Sequence, residues 1–439
     1  MSNPRIFHLN FVGDVMLGRL VDQLFPQHVD NPSESRLVAS FVSRNPHLRN
    51  YSPASPWGST LPLFHAADLN LINLETSVTV HNVPWPHKAF NYRMHPANVA
   101  ALKEARIDYA SLANNHTLDF STEGLIETVW TLRKARIAFA GAGETTDEAF
   151  RPAVLCLPRR QFRHSASNGE RDQTSAQGAT TGHSSKYSNS SVGECPEHTI
   201  HVYSAADHPR DWASVPTFHF VDYTAKTFRR LKSLLTPSSS SSSSSSGEGK
   251  GKENEKAPPS LKIFSVHWGP NYAWHPHGST IQSLAHFLID ECGVDIVHGH
   301  SSHHIQGVER YKNKLIIYGC GDFVDDYALN KEFRNDLGAV WRVVVREGEG
   351  ESSSSGSHSF VSRLHDSRGK KGEKGTGLEL VRLEIFPTRC DQFQAMLLDR
   401  EDRDHVWVRE KITTLSADLG TKVRQELGEE GQIVVDLEG

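Results

Sequence analysis

Cysteine is scarce in this sequence and is not arranged in pairs. The 439-residue chain has five cysteines, and no two of them are spaced as Cys-x-x-Cys. The odd count argues against a disulfide framework, and the missing Cys-x-x-Cys spacing argues against a zinc knuckle. The cysteine content therefore favours a protein of a reducing compartment.

Long apolar runs and a large excess of charge of one sign are also missing. No run approaches the roughly 20 apolar residues of a membrane-spanning helix, and the N-terminus has no basic segment followed by a long apolar one. The formal net charge is −5, which does not indicate binding to nucleic acid or to a membrane surface. We expect a cytoplasmic protein without a signal peptide, a membrane segment or a nucleic-acid partner.

Histidine, in contrast, is abundant, and its densest cluster is His298–His304. A short apolar run, Val294–Val297, precedes the cluster, and a second apolar run, Lys314–Gly319, follows it. Both runs are typical of buried parallel strands. Histidines at the carboxyl end of such a strand face the crevice where open α/β sheets bind ligands, and Gly299 allows the backbone to bend there. The alternative is a polar loop whose histidines are only solvated.

Metal-competent side chains follow four other predicted strands as well. Alone, each admits a simpler interpretation: a turn carboxylate, a satisfied polar pair or a structural histidine. Their shared position favours one site, because parallel strands end at the same edge of a sheet. Oxygen and nitrogen donors together suit one or two divalent ions of Mn, Fe, Zn or Mg. The five strand ends carry Asp14, Glu75, Asn115 with His116, His267, and His300 with His303.

The order of predicted elements indicates an α/β protein. Strands alternate with helices through the first 140 residues, which predicts βαβ units and a parallel sheet. Residues 153–157 and 199–203 predict a second sheet, and we expect Val340–Arg346 and Leu378–Phe386 to complete it. A terminal helix is predicted at Glu401–Leu419.

Two helix starts and one helix end carry recognisable signals. Ser121 or Thr122 is expected to cap a helix whose apolar stripe includes Leu125, Val129 and Leu132. Ser279 and Gln282 have the spacing of a capping box for a helix that Gly293 ends.

Three segments interrupt this pattern. They are rich in serine, glycine and charge and have no apolar periodicity, so we predict disordered inserted loops. Strand-like sequence resumes directly after each of them. The inserts are 163–195, 237–259 and 349–376.

Six ordered motifs resemble those of the CapA family of poly-γ-glutamate capsule-biosynthesis proteins, within the calcineurin-like metallophosphoesterase superfamily. They are GDVMLGR, INLET, SLANNHTLDF, SVHWG, DIVHGHSSHHIQG and YGCGDF. The resemblance covers residues 6–345 and implies one domain with a four-layer α/β/β/α sandwich, to which 377–439 adds a final strand and a helix. It also implies a metal site at Asp14, Glu75, Asn115, His267, His300 and His303, with His116 as the catalytic residue.

The chain departs from the phosphatase pattern of that superfamily at three points. Met16 stands where the first motif, D-x-H, has its histidine, and Asn73-x-Glu75 replaces G-D-x-x-D. One extra residue separates His300 from His303. Two functions therefore remain open. One is a metal-dependent hydrolase of a phosphate ester or a related bond, with His116 as general acid or transition-state stabiliser. The other is a non-hydrolytic accessory or binding protein for an anionic polymer, with a degenerate metal site.

Several residues near these motifs have secondary roles in the prediction. Arg19 is the candidate for binding an anionic substrate, and Trp268, Trp274 and Tyr272 are candidates for the wall of the site. Asp322 is a secondary site candidate. Asp325 and Asp326 are expected to be turn and cap residues, while four histidines are expected to support the site or to be solvated: His275, His277, His298 and His304.

Overall fold

The computed structural model describes residues 4–158, 197–236, 258–348 and 377–438. The predicted inserts 163–195 and 349–376, and all of 237–259 except its last two residues, lie outside this part of the chain. The strands are β1 (Ile6–Val15), β2 (Leu69–Leu74), β3 (Ser77–Val78), β4 (Arg93–Met94), β5 (Tyr109–Ser111), β6 (Ala138–Ala140), β7 (Ala153–Leu157), β8 (His198–Ala206), β9 (Leu261–His267), β10 (Ile296–His300), β11 (Val308–Tyr311), β12 (Lys314–Ile317), β13 (Asp322–Val324), β14 (Leu337–Glu347), β15 (Leu378–Asp391), β16 (Gln394–Leu397) and β17 (Ile433–Asp436).

The α-helices are mostly short and lie between these strands. They are α1 (Arg19–Leu24), α2 (Pro32–Arg44), α3 (Leu61–Ala66), α4 (Val99–Glu104), α5 (Ser121–Ala135), α6 (Thr146–Phe150), α7 (Ala225–Leu235), α8 (Ser283–Cys292) and α9 (Arg403–Asp418). Within the described ranges, no helix has the length and apolar character needed to cross a bilayer.

The larger sheet has nine strands, and its parallel part confirms the predicted βαβ units. Its main path is β16-β15-β14-β1-β2-β5-β6, with β13 beside β1 and β17 beside β15. Strands β1, β2, β5 and β6 run parallel to one another. Every side chain of β2 is buried, as expected for a strand that is covered on both faces.

Strands β14 and β15 belong to this larger sheet, so their assignment to the second sheet was wrong. β14 pairs antiparallel with β1, with Phe11 level with Trp341, and β15 pairs with β14. Both faces of β14 are buried: Val340 packs in one apolar cluster and Trp341 in another. A continuous apolar run identifies such a strand but does not specify its partner.

The second sheet has six strands in the order β11-β12-β10-β9-β8-β7. It contains β7 and β8, as predicted. Strands β8, β9, β10 and β12 are parallel, so their carboxyl ends lie at one edge. A separate pair, β3 and β4, forms a small two-stranded sheet.

Three apolar clusters hold a mixed α/β architecture together. One contains inward side chains of both sheets, such as Phe11 of β1 and Ile263 of β9, so the sheets share a core. A second contains the predicted stripe of α5 and packs on the larger sheet. A third joins α8 to the second sheet, where Leu288 and Phe264 are both fully buried.

The two predicted helix caps are absent for local reasons. α5 begins at Ser121 without a side-chain cap, because the Ser121 hydroxyl donates to the carbonyl of Val83 instead. Ser279 contacts the Nδ1 of His277, and residues 278–282 form a π-helical turn before α8. Gly293 does end α8, with φ of +65°.

Candidate metal centre and its cavity

The carboxylate part of the candidate site comes from the larger sheet. Asp14, near the end of β1, is level with Asn73 of β2 and with Asp322 of β13. The amide of Asn73 donates to Oδ1 of Asp14 at 2.7 Å. Glu75 follows β2 and is fully buried. The strand ends thus place three buried carboxylates side by side.

The imidazole part comes from the second sheet. His267 ends β9 and His300 ends β10, directly opposite each other, and their Nδ1 atoms are 2.9 Å apart. His303 lies in the loop after β10, and its Nδ1 contacts Asp322 Oδ1 at 2.9 Å. The predicted convergence at one edge of the parallel strands is therefore present in the geometry.

These residues form two donor groups that share one carboxylate. Asp14, His267 and His300 make one group, and Asp14, Glu75, His303 and Asp322 make the other; within each group the donor atoms lie within 4.8 Å of one another. Asp14 is the residue that the two groups share. Asp322, only a secondary candidate from the sequence, is a full member of the second group.

Several buried polar atoms in these groups, and one in Asn115, have no hydrogen-bonding partner among the described residues. Leaving a buried polar atom unsatisfied costs roughly 1–3 kcal/mol, and more for a charged group. A cation would satisfy such atoms together, so the donor set fits a divalent ion of the oxygen- and nitrogen-binding class. The atoms are Asp14 Oδ2, both carboxylate oxygens of Glu75, Asn115 Oδ1, His267 Nε2 and Asp322 Oδ2.

Burial shifts the protonation of both donor types toward neutral forms. Burial raises the pKa of Asp14, and burial together with the nearby Asp14 raises the pKa of Glu75 well above its usual range. Asp322 is shifted in the same direction by burial and by Asp325 and Asp14. Burial holds the pKa values of His267 and His300 well below the usual value. Neutral imidazole is the form that binds metals.

Asn115 and His116 lie beside the donor groups on the loop after β5. The His116 ring is stacked on Tyr92, with centroids 3.9 Å apart, and its Nδ1 contacts Asp119 Oδ2 at 2.6 Å. Lys88 is ion-paired with Asp119, with Nζ 2.7 Å from Oδ1. Burial lowers the pKa of His116 to about 4, although Asp119 acts in the opposite direction.

A cavity of about 520 Å³ opens over this side of the centre. Its wall includes the predicted residue Arg19, whose Nε lies 3.4 Å from Asp326 Oδ2. Lys88 supplies a second cation, and Tyr272 lies in the wall, as predicted. Asn115, His116 and His303 also line the cavity, so it connects solvent to the donor groups.

Trp268 does not have the predicted place in the substrate wall. Its side chain is 2 % exposed and packs in the apolar cluster beneath α8. The indole nitrogen donates to the carbonyl of Tyr318 at 2.9 Å. The side chain after His267 points away from the centre, because successive residues of a strand face opposite sides. Trp274 lines a different cavity, against Trp407 and Lys411.

Two sequence features have a structural explanation other than the expected one. Met16 is fully buried, and its sulfur accepts from the backbone N–H of Gly18 at 3.2 Å. Gly299 stays within β10, and its small size is required by close packing: a Cβ there would lie 2.2 Å from the carbonyl oxygen of Tyr318.

The supporting histidines and aspartates are arranged largely as expected. His298 is buried between Ser265 and the carbonyl of Val12, and His304 contacts the carbonyl of Ser302. Asp325 accepts from the backbone of Tyr327, as a turn residue does. Asp326 accepts from the backbone of Leu20 at the start of α1. His275 and His277 are exposed.

Sequence reasoning missed Lys88, Tyr92 and Asp119. Lys88 and Tyr92 lie in a loop without regular structure, so no periodicity marks them. Asp119 could have been found, because it is three residues after His116 and both face the same turn.

The comparisons with known proteins agree with the resemblance found in the sequence. The profile of a family described as bacterial capsule synthesis protein PGA_cap matches residues 8–327. The chain is 29% identical over 436 residues to the probable polyglutamine synthesis accessory protein of Mycobacterium tuberculosis (strain ATCC 25618 / H37Rv), covering 96% of this chain and 94% of the relative. It is 22% identical over 322 residues to the PGA biosynthesis protein CapA of Bacillus subtilis (strain 168), and the match covers 73% of this chain and 64% of the relative. It is 23% identical over 323 residues to the capsule biosynthesis protein CapA of Bacillus anthracis, and the match covers 72% of this chain and 59% of the relative.

Proposed function

The chain belongs to the bacterial capsule synthesis protein PGA_cap family, and from that premise we propose that it is a metal-dependent hydrolase of the metallophosphoesterase type. Its substrate would be an anionic small molecule or polymer, cleaved at a phosphate ester or a related bond. The observation that carries the proposal is the pair of donor groups that share Asp14, beside a histidine–carboxylate pair at the base of a cavity. The four-layer sandwich implied by the family resemblance is part of this proposal, supported by the two sheets and the helices packed on them.

Each donor group would hold one cation. The first would use Asp14, His267 and His300, with Asn115 beside them, and the second would use Glu75, His303 and Asp322 together with the shared Asp14. Bound divalent ions supply Lewis-acid polarisation of the substrate oxygen and lower the pKa of water. Met16 stands at the position of the D-x-H histidine, so it supplies no imidazole to the second group. Asp322 provides a carboxylate to that group instead.

His116 would exchange a proton with the substrate. Its Nδ1 is directed at Asp119, which fixes the ring and leaves Nε2 as the reactive nitrogen. Since burial lowers its pKa to about 4, the imidazole of the free protein is neutral at pH 7, so it would take a proton from the attacking water and then, as the predicted general acid, give it to the leaving oxygen. Asp119 stabilises the imidazolium that forms. Tyr92, stacked on the ring, restricts its rotation.

Arg19 and Lys88 would bind the negative charge of the substrate. Both line the cavity, and both are already held by carboxylates, Arg19 by Asp326 and Lys88 by Asp119. Cationic side chains that are already held in place lose little conformational freedom when an anionic substrate binds.

A second function, a non-hydrolytic accessory protein for an anionic polymer, is favoured by one observation. The position of Met16 removes one imidazole from the superfamily pattern, and its side chain faces the backbone of Gly18. The Mycobacterium tuberculosis relative is itself described as an accessory protein. In this function the cavity would bind the polymer without cleaving it.

Elemental analysis and activity assays on a panel of phosphate esters, each with and without chelator, distinguish the hydrolase from the accessory protein. We expect one or two divalent ions per chain and chelator-sensitive turnover. His116→Gln should abolish turnover and retain the metal, while His277→Gln, an exposed histidine outside the centre, should match the wild type. Metal loss in His116→Gln would make His116 a ligand. A wild type without metal and without turnover would support the accessory function.

A further inference from the structure

A sixth strand end carries a histidine that the sequence motifs do not include. β8 runs parallel to β9, with Ala206 level with His267. Asp207 and His208 follow directly, at the edge where the candidate metal centre lies. The backbone N–H of Asp207 donates to the carbonyl of His267 at 3.1 Å, which fixes the turn against the last residue of β9.

The spacing of the rings matches histidines that share an ion. The His208 and His267 centroids are 5.0 Å apart, and those of His267 and His300 are 5.1 Å apart. With metal–nitrogen bonds of ~2.1 Å, each centroid lies roughly 3.2 Å from the ion, so angles of ~90–109° separate two centroids by roughly 4.6–5.3 Å. Both observed separations fall in that interval.

Asp207 orients His208 in the way that metal-binding histidines are oriented. Its Oδ1 contacts the Nδ1 of His208, and its Oδ2 accepts from the hydroxyl of Tyr223 at 2.6 Å and from the N–H of Gly269 at 2.9 Å. A carboxylate on one ring nitrogen fixes the tautomer whose other nitrogen binds metal.

We infer that His208 is a further ligand of the cation held by Asp14, His267 and His300, with Nε2 as the donor and Asp207 as its supporting carboxylate. Among the described His, Cys, Asp and Glu residues, the first group has three donors within 4.8 Å of one another, and His267 Nε2 is buried without a partner in the described chain. His208 is outside this group, and its side chain is 29% exposed, so we expect its ring to turn toward the ion when one binds. The inference rests on the metal centre of the proposed function.

Calorimetric titration of the metal-free protein with Mn²⁺ or Zn²⁺, without substrate, tests this assignment. His208→Gln should weaken one of the two sites by at least 10-fold and leave the other unchanged. Asp207→Asn should weaken the same site by about 10–100-fold, as loss of a supporting carboxylate does. His277→Gln is the matched control. Bound Co²⁺ should show a changed visible spectrum in His208→Gln.

Unchanged metal affinity in His208→Gln would overturn the assignment, and lost turnover with unchanged metal would assign His208 to the substrate instead. Two bound ions without turnover of any ester would refute the proposed hydrolase and leave the ligand assignment standing. A wild type that binds no ion would overturn both. Asp207 also holds Tyr223 and Gly269. If Asp207→Asn does not fold for that reason, the His208→Gln variant decides the question alone, since His208 is partly exposed.

Discussion

Replacing Glu75 by Gln should stabilise the metal-free protein and remove most of the stabilisation that metal provides. Glu75 is fully buried, both its carboxylate oxygens lack a hydrogen-bonding partner in the described chain, and its neighbours Asp14 and Asp322 are also carboxylates. Gln has nearly the same shape and no charge. The substitution therefore removes repulsion and desolvation without leaving a large cavity.

The magnitude follows from the spacing of the carboxylates. Two like charges within 4.8 Å of each other repel by about 3.5 kcal/mol or more at an effective dielectric constant of ~20. Because the cluster relieves part of this by binding protons, we expect Glu75→Gln to raise the free energy of unfolding by about 1–3 kcal/mol. A cation at 100 times its dissociation constant adds about 2.7 kcal/mol to the wild type, but only about 0.4 kcal/mol to a variant whose affinity is ~100-fold lower.

Urea unfolding at pH 7, with chelator and then with excess Mn²⁺, measures both effects. Glu332→Gln is the control, because Glu332 is exposed and belongs to neither donor group. A metal-free Glu75→Gln protein less stable than both the wild type and the control would contradict the reasoning. So would an equal gain from Mn²⁺ in the variant and the wild type.

Three further predictions concern other parts of the chain. Arg19→Gln should raise the KM for an anionic substrate about 10-fold, with a smaller change in kcat, in steady-state assays of whichever ester the panel identifies. Gly299→Ala should lower the free energy of unfolding by about 3 kcal/mol or more, measured in urea, because the new Cβ would meet the carbonyl oxygen of Tyr318 at 2.2 Å. Burial lowers the pKa of His219 from 6.5 to about 3, so the unfolded chain binds a proton below pH 6.5 that the folded chain does not. The free energy of unfolding should therefore fall as pH decreases from 6.5. Between pH 7 and pH 5, the free energy of unfolding of His219→Asn should decrease by about 2 kcal/mol less than that of the wild type.

The sequence predicted most of the donor residues because they depend on a local rule. A buried strand ends at a polar residue, and parallel strands end at one edge, so His267 and His300 could be placed together before their register was known. Lys88 and Tyr92 depend on where a loop turns. The backbone of Asp119 accepts from Trp85, and its carboxylate accepts from Tyr92. No periodic pattern encodes those long-range contacts.

The fold shows the same division between local and long-range information. Residues 153–157 were predicted as a strand and form β7 with the same ends. The partners of β14 and β15 were wrong, because both faces of β14 are buried and an apolar run fits either sheet. Ser279 and Gln282 have capping-box spacing, but the hydroxyl of Ser279 contacts His277 instead. The spacing of two residues in the sequence does not show such a competing contact.

The distribution of donors between the two sheets would give the proposed metal centre a structural role as well as a chemical one. The carboxylates of Asp14, Glu75 and Asp322 come from the larger sheet or directly follow its strands, whereas the imidazoles of His267 and His300 end strands of the second sheet. Elsewhere the sheets share mainly apolar contacts, which adapt to small displacements. A cation bound by donors of both sheets requires fixed distances between them. Loss of the D-x-H imidazole at Met16 therefore matters less than the retention of Asp14, because Asp14 is the one carboxylate that belongs to both donor groups.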